Sequence, residues 1–390
     1  MKIDMGSKAT AVRPRIAFVL AGAQSVRAFM IDHISALSKT YHVDVFTNLE
    51  TDSLADLQSE HITLVDVAFA RKISLLSDLK TLWRLFVLLR NGRYDAVHSL
   101  MPKTGLLSAI AARAADVPVR IHTFTGQVWA NRQGLSRIAL KFLDRVIVWL
   151  DTDLLTDSLS QSRFLRHEGV CANARVLCQG SVGGVDLDRF RPDPQDRLEL
   201  RRTLGIEPDD LVFGFLGRIN HDKGVADLAA AFVASDLPIN SKLLLVGPDE
   251  QSVLQDITNT FGDMDGRLIL AGPTREPERF LNIFDVFCLP SYREGFGSSA
   301  IEAAACGVPA IASRIYGLTD AIEEGVTGRL HPPGDAPEIT KLLEEFAGDP
   351  ALRKKMGHAA RVRAQREFSK EYLMDQMAEF YQARVRPLGR

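Results

Sequence analysis

From Arg15 onward, short continuously apolar runs alternate with longer stretches in which apolar residues recur every three or four positions. Residues 16–20, 43–46, 62–65, 96–98, 119–122 and 153–156 read as strands. Apolar runs of that length predict strands buried on both faces of a parallel sheet. Helical periodicity separates them: the turn Ala21-Gly22-Ala23-Gln24-Ser25 feeds a helix to about Ser38, and further helices are predicted at 77–90, 104–115 and 135–149. The period fails over residues 180–196, GSVGGVDLDRFRPDPQD, whose Gly, Pro and Asp content suits a linker. Alternation then restarts with strands at 211–216, 242–247, 268–270, 286–289 and 310–312. Helices run to about Ser235 and Phe261, near 276–282, and from Ser298. This pattern predicts an α/β protein of two doubly wound, Rossmann-like parallel-sheet domains, residues 1–190 and 191–368, followed by an amphipathic helix at about 369–385.

Length agrees, because 390 residues exceed one ordinary core and suit two domains of about 190 residues each. Composition, 46% hydrophobic and 25% charged, is that of a soluble globular chain. The net charge of −2 gives no bulk electrostatic case for nucleic acid as a partner. Cys171, Cys178, Cys288 and Cys306 form neither a CxxC pair nor a His/Cys ligand cluster. They read as small buried hydrophobes in a reduced, cytoplasmic protein with no metal site. The first fifteen residues lack the apolar core and cleavage site of a signal peptide, and no run of about 18 apolar residues is present to cross a membrane.

Two loops carry chemistry. Residues 290–309, PSYREGFGSSAIEAAACGVP, read as a strand-end loop followed by a helix from about Ser298. Gly295 and Gly297 allow tight turning and close approach to a ligand. The free N–H groups of the helix start, at Ser298 and Ser299, make an anion site suited to phosphate or diphosphate. Glu294 and Glu302 flank it, which suits a polyhydroxylated group beside the phosphate; the alternative is a capped surface helix with two solvated glutamates. The second loop, Gly217-Arg218-Ile219-Asn220-His221-Asp222-Lys223-Gly224, follows another strand of the same sheet. Arg218 can clamp phosphate oxygens and Lys223 supplies a point charge, so both would stabilise a departing nucleoside diphosphate.

The E-x7-E spacing of Glu294 and Glu302, the GRxxxxKG run from Gly217 to Gly224, the linker segment GVDLDRF at 184–190, and the phrases PSYREGFG and AIEAAACGVPAIAS resemble retaining glycosyltransferases of family 4. The resemblance covers about residues 15–385. It implies the GT-B fold, with two facing Rossmann-like domains, a cleft between them, and the C-terminal helix packing back on the first. It further implies a metal-independent transfer with no cofactor beyond the nucleotide-sugar co-substrate, UDP-linked by family habit. The acceptor implied is a saccharide or a polyprenyl-diphosphate-linked saccharide in polysaccharide, capsule or lipopolysaccharide biosynthesis. By residue, it implies that Arg218 and Lys223 hold the donor diphosphate and that Glu294 contacts the donor sugar. Gly217, Gly295, Phe296 and Gly297 would shape that pocket. Glu302 would take the ribose, and Pro273, Thr274, Arg275 and Glu276 would lie near the base.

The first domain departs from the family pattern T-x-H-G. Here the run is Ile121-His122-Thr123-Phe124-Thr125-Gly126, so either His122 or Thr125 is the candidate that meets the donor, with Gly22 on the other loop. Residues 71–93 and 134–149 mix Leu, Phe and Trp with Arg71, Lys72, Lys80, Arg84, Arg90, Arg93, Arg137, Lys141 and Arg145. Each reads either as a core helix with solvated basic edges or as a basic amphipathic helix that lies peripherally on the inner face of the membrane. Two other functions share the fold, a nucleotide-sugar 2-epimerase and a non-catalytic nucleotide-sugar-binding protein; the epimerase would need additional acid/base residues that are not evident.

Overall fold

The computed structural model describes residues 13–50, 54–70 and 74–386. Seven strands form the first sheet: β1 (Arg15–Val19), β2 (His42–Thr47), β3 (Ile62–Asp66), β4 (Ala96–Leu100), β5 (Val119–Phe124), β6 (Asp153–Thr156) and β7 (Arg175–Val176). Their spatial order is β3-β2-β1-β4-β5-β6-β7. The second sheet holds β8 (Leu211–Leu216), β9 (Ser241–Val246), β10 (Leu268–Gly272), β11 (Val286–Leu289), β12 (Ala310–Ser313) and β13 (Gly328–His331), ordered β10-β9-β8-β11-β12-β13. Every pairing in this second sheet is parallel. In both sheets the order reverses beside the first strand in the chain, between β1 and β4 and again between β8 and β11. Connections leave such a switch point toward opposite faces, opening a crevice at the carboxyl ends of the strands.

Contacts divide the chain into two compact units. One holds the described residues up to Thr123, Phe142–Leu155 and the residues from Met374 on; the other holds Phe124–Lys141 and Thr156–Leu373. Residues 156–190, placed with the first domain on sequence, therefore group with the second. The helix Leu159–His167 explains this, because Ser160 binds Asp320 through both its N–H and its hydroxyl and accepts the N–H of Gly317.

In the first unit one face of the sheet is covered by the helices Leu75–Gly92 and Pro102–Ala114, which bury Leu85, Leu89, Leu107 and Ala111 against Ala17, Val19 and Val97. On β4, fully buried His98 pairs its Nδ1 with the Tyr381 hydroxyl of the C-terminal helix Lys370–Arg384 at 2.6 Å. Its Nε2 pairs with Thr123 Oγ1 at 2.7 Å. Burial pushes the His98 imidazole down to about 3, with His122 and His33 adding to the effect, so the ring is neutral. A neutral imidazole donates from one nitrogen and accepts at the other, which matches a hydroxyl on each side.

The second unit buries a larger core around Phe213, Phe215, Leu244, Phe287 and Ile311. Several features go beyond the expected pattern. The helix expected to reach Ser38 bends at Met30, giving Ala23–Phe29 and Ile31–Leu37. Hydrogen bonding passes through the bend, from Met30 N–H to Val26 O and from Ile34 N–H to Met30 O, both 2.9 Å. The linker ends in the helix Pro194–Thr203, capped by the Asp193 carboxylate. Beyond β12, where no element was expected before the C-terminal helix, lie β13 and the helices Ala336–Gly348 and Pro350–Glu367.

Replacing Tyr381 with Phe leaves a buried His98 nitrogen without its partner. Such a loss costs about 1–3 kcal/mol, so Tyr381→Phe should shift the urea unfolding midpoint downward; an unchanged midpoint would contradict this role.

Candidate active site

The loops after β8 and β11 lie side by side at the second switch point. β8 ends where the Gly217 N–H donates to Val246 O at 3.0 Å, and the loop tightens into a 3-10 turn, His221–Lys223. Three interactions tie it to the loop after β11, and a fourth, within that loop, braces Glu294. The Tyr292 N–H donates to Asp222 O at 2.8 Å, and Arg293 binds the Asp222 carboxylate at 2.8 Å. Lys223 Nζ meets Glu294 Oε1 at 2.5 Å, and Ser291 Oγ donates to the same oxygen at 2.8 Å. The Lys223 and Glu294 side chains are only 17% and 11% exposed. Partly withdrawn from water, their attraction exceeds that of a surface pair.

Gly295 follows at a place with no room for a side chain. A Cβ there would lie 2.5 Å from Asp157 Oδ2 and 2.7 Å from Thr125 O. Gly126, at φ +100°, packs on the backbone of Gly295 and Glu294. Phe296 is buried, edge-to-face with Phe368 at 5.5 Å between ring centres. Gly297, at φ +84°, turns the chain into the helix Ser298–Ala305, and no side chain caps that helix. The N–H groups at Ser298 and Ser299 have no intrahelical acceptor, and both residues are half-buried. They are free to receive an anion, and the helix dipole favours one. The Ala-rich sequence of the helix lets Ala300, Ile301, Ala303 and Ala304 pack into the core while Glu302 keeps a partly open flank.

The remaining second-unit candidates fall at the two ends of this arrangement. Arg218, 63% exposed, binds Glu250 with both carboxylate oxygens at 3.2 Å, and Asn220 shares Glu250 at 2.9 Å. Glu302 faces Arg189, whose guanidinium binds Glu278 at 2.8 Å and the Arg275 carbonyl at 2.9 Å. Burial raises the Glu302 carboxyl to about 7, against the pull of Arg189 and with a push from Glu278. Glu302 and the segment at 273–276 thus belong to one network. Thr274 Oγ1 accepts the N–H of Glu276 at 2.9 Å, shaping that turn.

Thr125 enters the site through its carbonyl, beside Gly295. His122 is on β5 in the first unit. It is fully buried, with Nδ1 2.9 Å from Ser99 Oγ, and burial lowers it to about 3. Its ring fills the space above Gly105 that a Cβ there would need. Gly22 starts the helix Ala23–Phe29 at the switch point of the first sheet, in extended backbone. Asp157, Ser291, Glu250 and the Asp222–Arg293 pair were not anticipated. For Asp157 a signal existed: it ends the 153–156 strand and precedes Ser158, which caps the helix Leu159–His167 by accepting the Gln161 N–H at 3.1 Å.

Comparison with known proteins gives this geometry its family. The model of "Glycosyl transferases group 1" matches residues 196–363, and that of "Glycosyl transferase 4-like domain" matches residues 32–178. The chain is 30% identical over 323 residues, 81% of its length and 83% of the relative's, to the capsular polysaccharide biosynthesis glycosyltransferase CapM of Staphylococcus aureus. It is 28% identical, over 78% of its length and 79% of the relative's, to the Escherichia coli UDP-Gal:alpha-D-GlcNAc-diphosphoundecaprenol alpha-1,3-galactosyltransferase. Among solved structures, HepE of Anabaena in complex with UDP and glucose superimposes with a TM-score of 0.80 at 19% identity, over 95% of this chain and 100% of that one. WaaG, a glycosyltransferase involved in lipopolysaccharide biosynthesis, gives 0.72 at 17% identity, over 94% and 99%. These likenesses share the fold of two doubly wound sheets, and with the family models and the CapM likeness they lead to one conclusion: the chain belongs to the GT-B glycosyltransferases of the family 4 type.

Proposed function

We propose that this glycosyltransferase moves a sugar, with retention at the anomeric carbon, from a UDP-sugar to a hydroxyl of a lipid-linked saccharide in surface-polysaccharide assembly. The observation that carries the reading is the Lys223–Glu294 pair beside an uncapped helix N-terminus. A diphosphate at Ser298 and Ser299 would meet Lys223, and Arg218 could leave Glu250 to join it. Glu294 would then be free to accept hydrogen bonds from sugar hydroxyls. The acceptor hydroxyl attacks the anomeric carbon on the face from which the nucleoside diphosphate departs. The bond from that carbon to the β-phosphate oxygen breaks, and a leaving phosphate oxygen takes the acceptor proton. Lys223 and Arg218 stabilise the charge that develops on the diphosphate, the work a metal ion would otherwise do. The donor base rests near 273–276 and the ribose against Glu302. UDP complexes of HepE and the substrate named for the Escherichia coli relative support the choice of donor and acceptor.

A lipid-linked acceptor calls for a membrane surface. The helix Leu75–Gly92 exposes Leu75, Leu76, Leu79 and Trp83 beside exposed Lys80, Arg84 and Arg90; Arg71 and Lys72 lie outside the described residues. On the helix Gly134–Leu150, Leu135, Ile138, Phe142 and Trp149 are exposed, while Arg137 and Lys141 bind Glu168. Among the described residues no helix is long and apolar enough to cross a membrane. Apolar side chains with flanking cations suit binding in the plane of an anionic bilayer.

Lys223→Ala and Glu294→Gln should each lower transfer from a UDP-sugar at least about 100-fold, measured with radiolabelled donor and a lipid extract in the presence of EDTA; near-normal transfer by both folded variants would overturn the site. Glu302→Ala should mainly raise the donor KM, since ribose contacts are made before and during chemistry alike; an unchanged KM would make Glu302 structural. The Leu76→Ser/Trp83→Ser double variant should sediment less with phosphatidylglycerol vesicles than the parent, and equal sedimentation would remove this helix from the membrane contact.

A further inference from the structure

Asp157 directly follows β6 and is 3% exposed. Its backbone is pinned from both sides: its N–H donates to Gln161 Oε1 at 3.1 Å, and its carbonyl accepts the Ser181 N–H at 2.7 Å. The side chain is thereby held against Gly295, where Asp157 Oδ2 and the Thr125 carbonyl oxygen crowd the same side of the Cα. Asp157 Oδ1 is buried and makes no hydrogen bond. The charged groups that bear on the carboxyl are Glu294, from the loop after β11, and Asp320, from the helix Leu318–Ala321. Both are negative. Gln161, from its own helix, offers a carbonyl oxygen to the Asp157 backbone, and Asp320 is engaged by Ser160.

An ionised carboxylate in this place would be buried with no cation among the described residues acting on it, next to a carbonyl oxygen and facing two other acids, which is strongly unfavourable. A neutral carboxylic acid avoids that cost and carries an O–H donor, with the Thr125 carbonyl oxygen, an acceptor, crowding the same side of Gly295. We propose that Asp157 is a positioning residue for sugar transfer: as a neutral acid it ties the Thr125 carbonyl to the Gly295 backbone and so sets the loop that carries Glu294, and its ionisation releases that loop. This rests on the reading of Glu294 as a donor-sugar contact. Burial, joined by Asp320 and Glu294 and opposed by its own backbone N–H, holds the Asp157 carboxyl well above the usual carboxylate range. In this role Asp157 acts through Gly295.

The test compares the full-length chain with Asp157→Asn and Asp157→Ala. Asn keeps the shape and an N–H donor but cannot ionise. Donor kcat and KM are measured from about pH 5 to 9, with melting temperatures at each pH. The parent should lose kcat on the alkaline side. Asp157→Asn should keep kcat within about threefold at neutral pH and lose that alkaline fall, while Asp157→Ala, folded, should lose about tenfold or more in kcat. A carboxyl raised on folding imposes no penalty below its unfolded value and a growing one as pH rises toward its folded value. The melting temperature of Asp157→Asn should therefore exceed the parent's by a margin that widens with pH. Superimposable parent and Asn pH profiles, or parental kcat in folded Asp157→Ala, would overturn the proposal while leaving the site reading intact. An inert parent would instead overturn the site reading, and the melting-temperature margin would still decide on Asp157: a margin constant with pH removes the neutral acid. If Asp157→Ala does not fold, the Asn comparison decides.

Discussion

The 2.5 Å contact between Lys223 and Glu294 holds together the two loops on which everything else in the site depends. Those loops leave neighbouring strands, β8 and β11, on either side of the point where the sheet order reverses, and beyond the ends of the strands the ladder no longer joins them. The ion pair does, with help from the Tyr292 N–H on Asp222 and from Arg293 on the Asp222 carboxylate. The same pair stores reactive groups in a compensated form. A buried lysine or glutamate alone would be costly, and in the proposed mechanism each exchanges its partner for a phosphate or a hydroxyl without leaving the other stranded.

Around that pair the charges are graded by position. The uncapped start of Ser298–Ala305 and the exposed Arg218, paired with Glu250, offer positive potential at the place proposed for phosphate. Glu302, half-buried with Arg189 and Glu278 beyond it, offers a hydrogen-bonding acid at the far end. Behind Gly295 the environment turns acidic and closed, with Asp157 and Asp320. One loop thus separates the face proposed to take an anion from a closed, acidic side, and glycine at 295 is what allows Asp157 and the Thr125 carbonyl to come so close to it.

Much of this was legible in the residues. Strands buried on both faces announce themselves as unbroken apolar runs, and 211–216 and 286–289 coincide with β8 and β11. Glu294, Lys223 and the helix start at Ser298 were legible because strand-end loops rich in Gly with cations and acids suit only a few kinds of chemistry. The start of the helix Pro194–Thr203 was hidden at the end of a Gly-, Pro- and Asp-rich run, although Asp193 followed by Pro194 is itself a helix-start signal. His122 could not be placed by pattern, since a polar residue at a strand end reads alike whether it faces ligand or, as here, fills the space over Gly105. Asp157 and Glu250 lie 137 and 44 residues from Glu294 in the chain, and no local spacing links them to it. Only the fold brings Asp157 behind Gly295, and only the pairing of Ile219 with Asp249 brings Glu250 to Arg218.

The central claim is that the Lys223–Glu294 pair opens onto a diphosphate at the start of Ser298–Ala305. A crystal structure of the complex with UDP tests it most directly. It should show the diphosphate accepting hydrogen bonds from the backbone N–H groups of Ser298 and Ser299, with Lys223 Nζ turned onto a phosphate oxygen. UDP bound elsewhere, or bound with Lys223 still closed on Glu294 and no phosphate at the helix start, would contradict it.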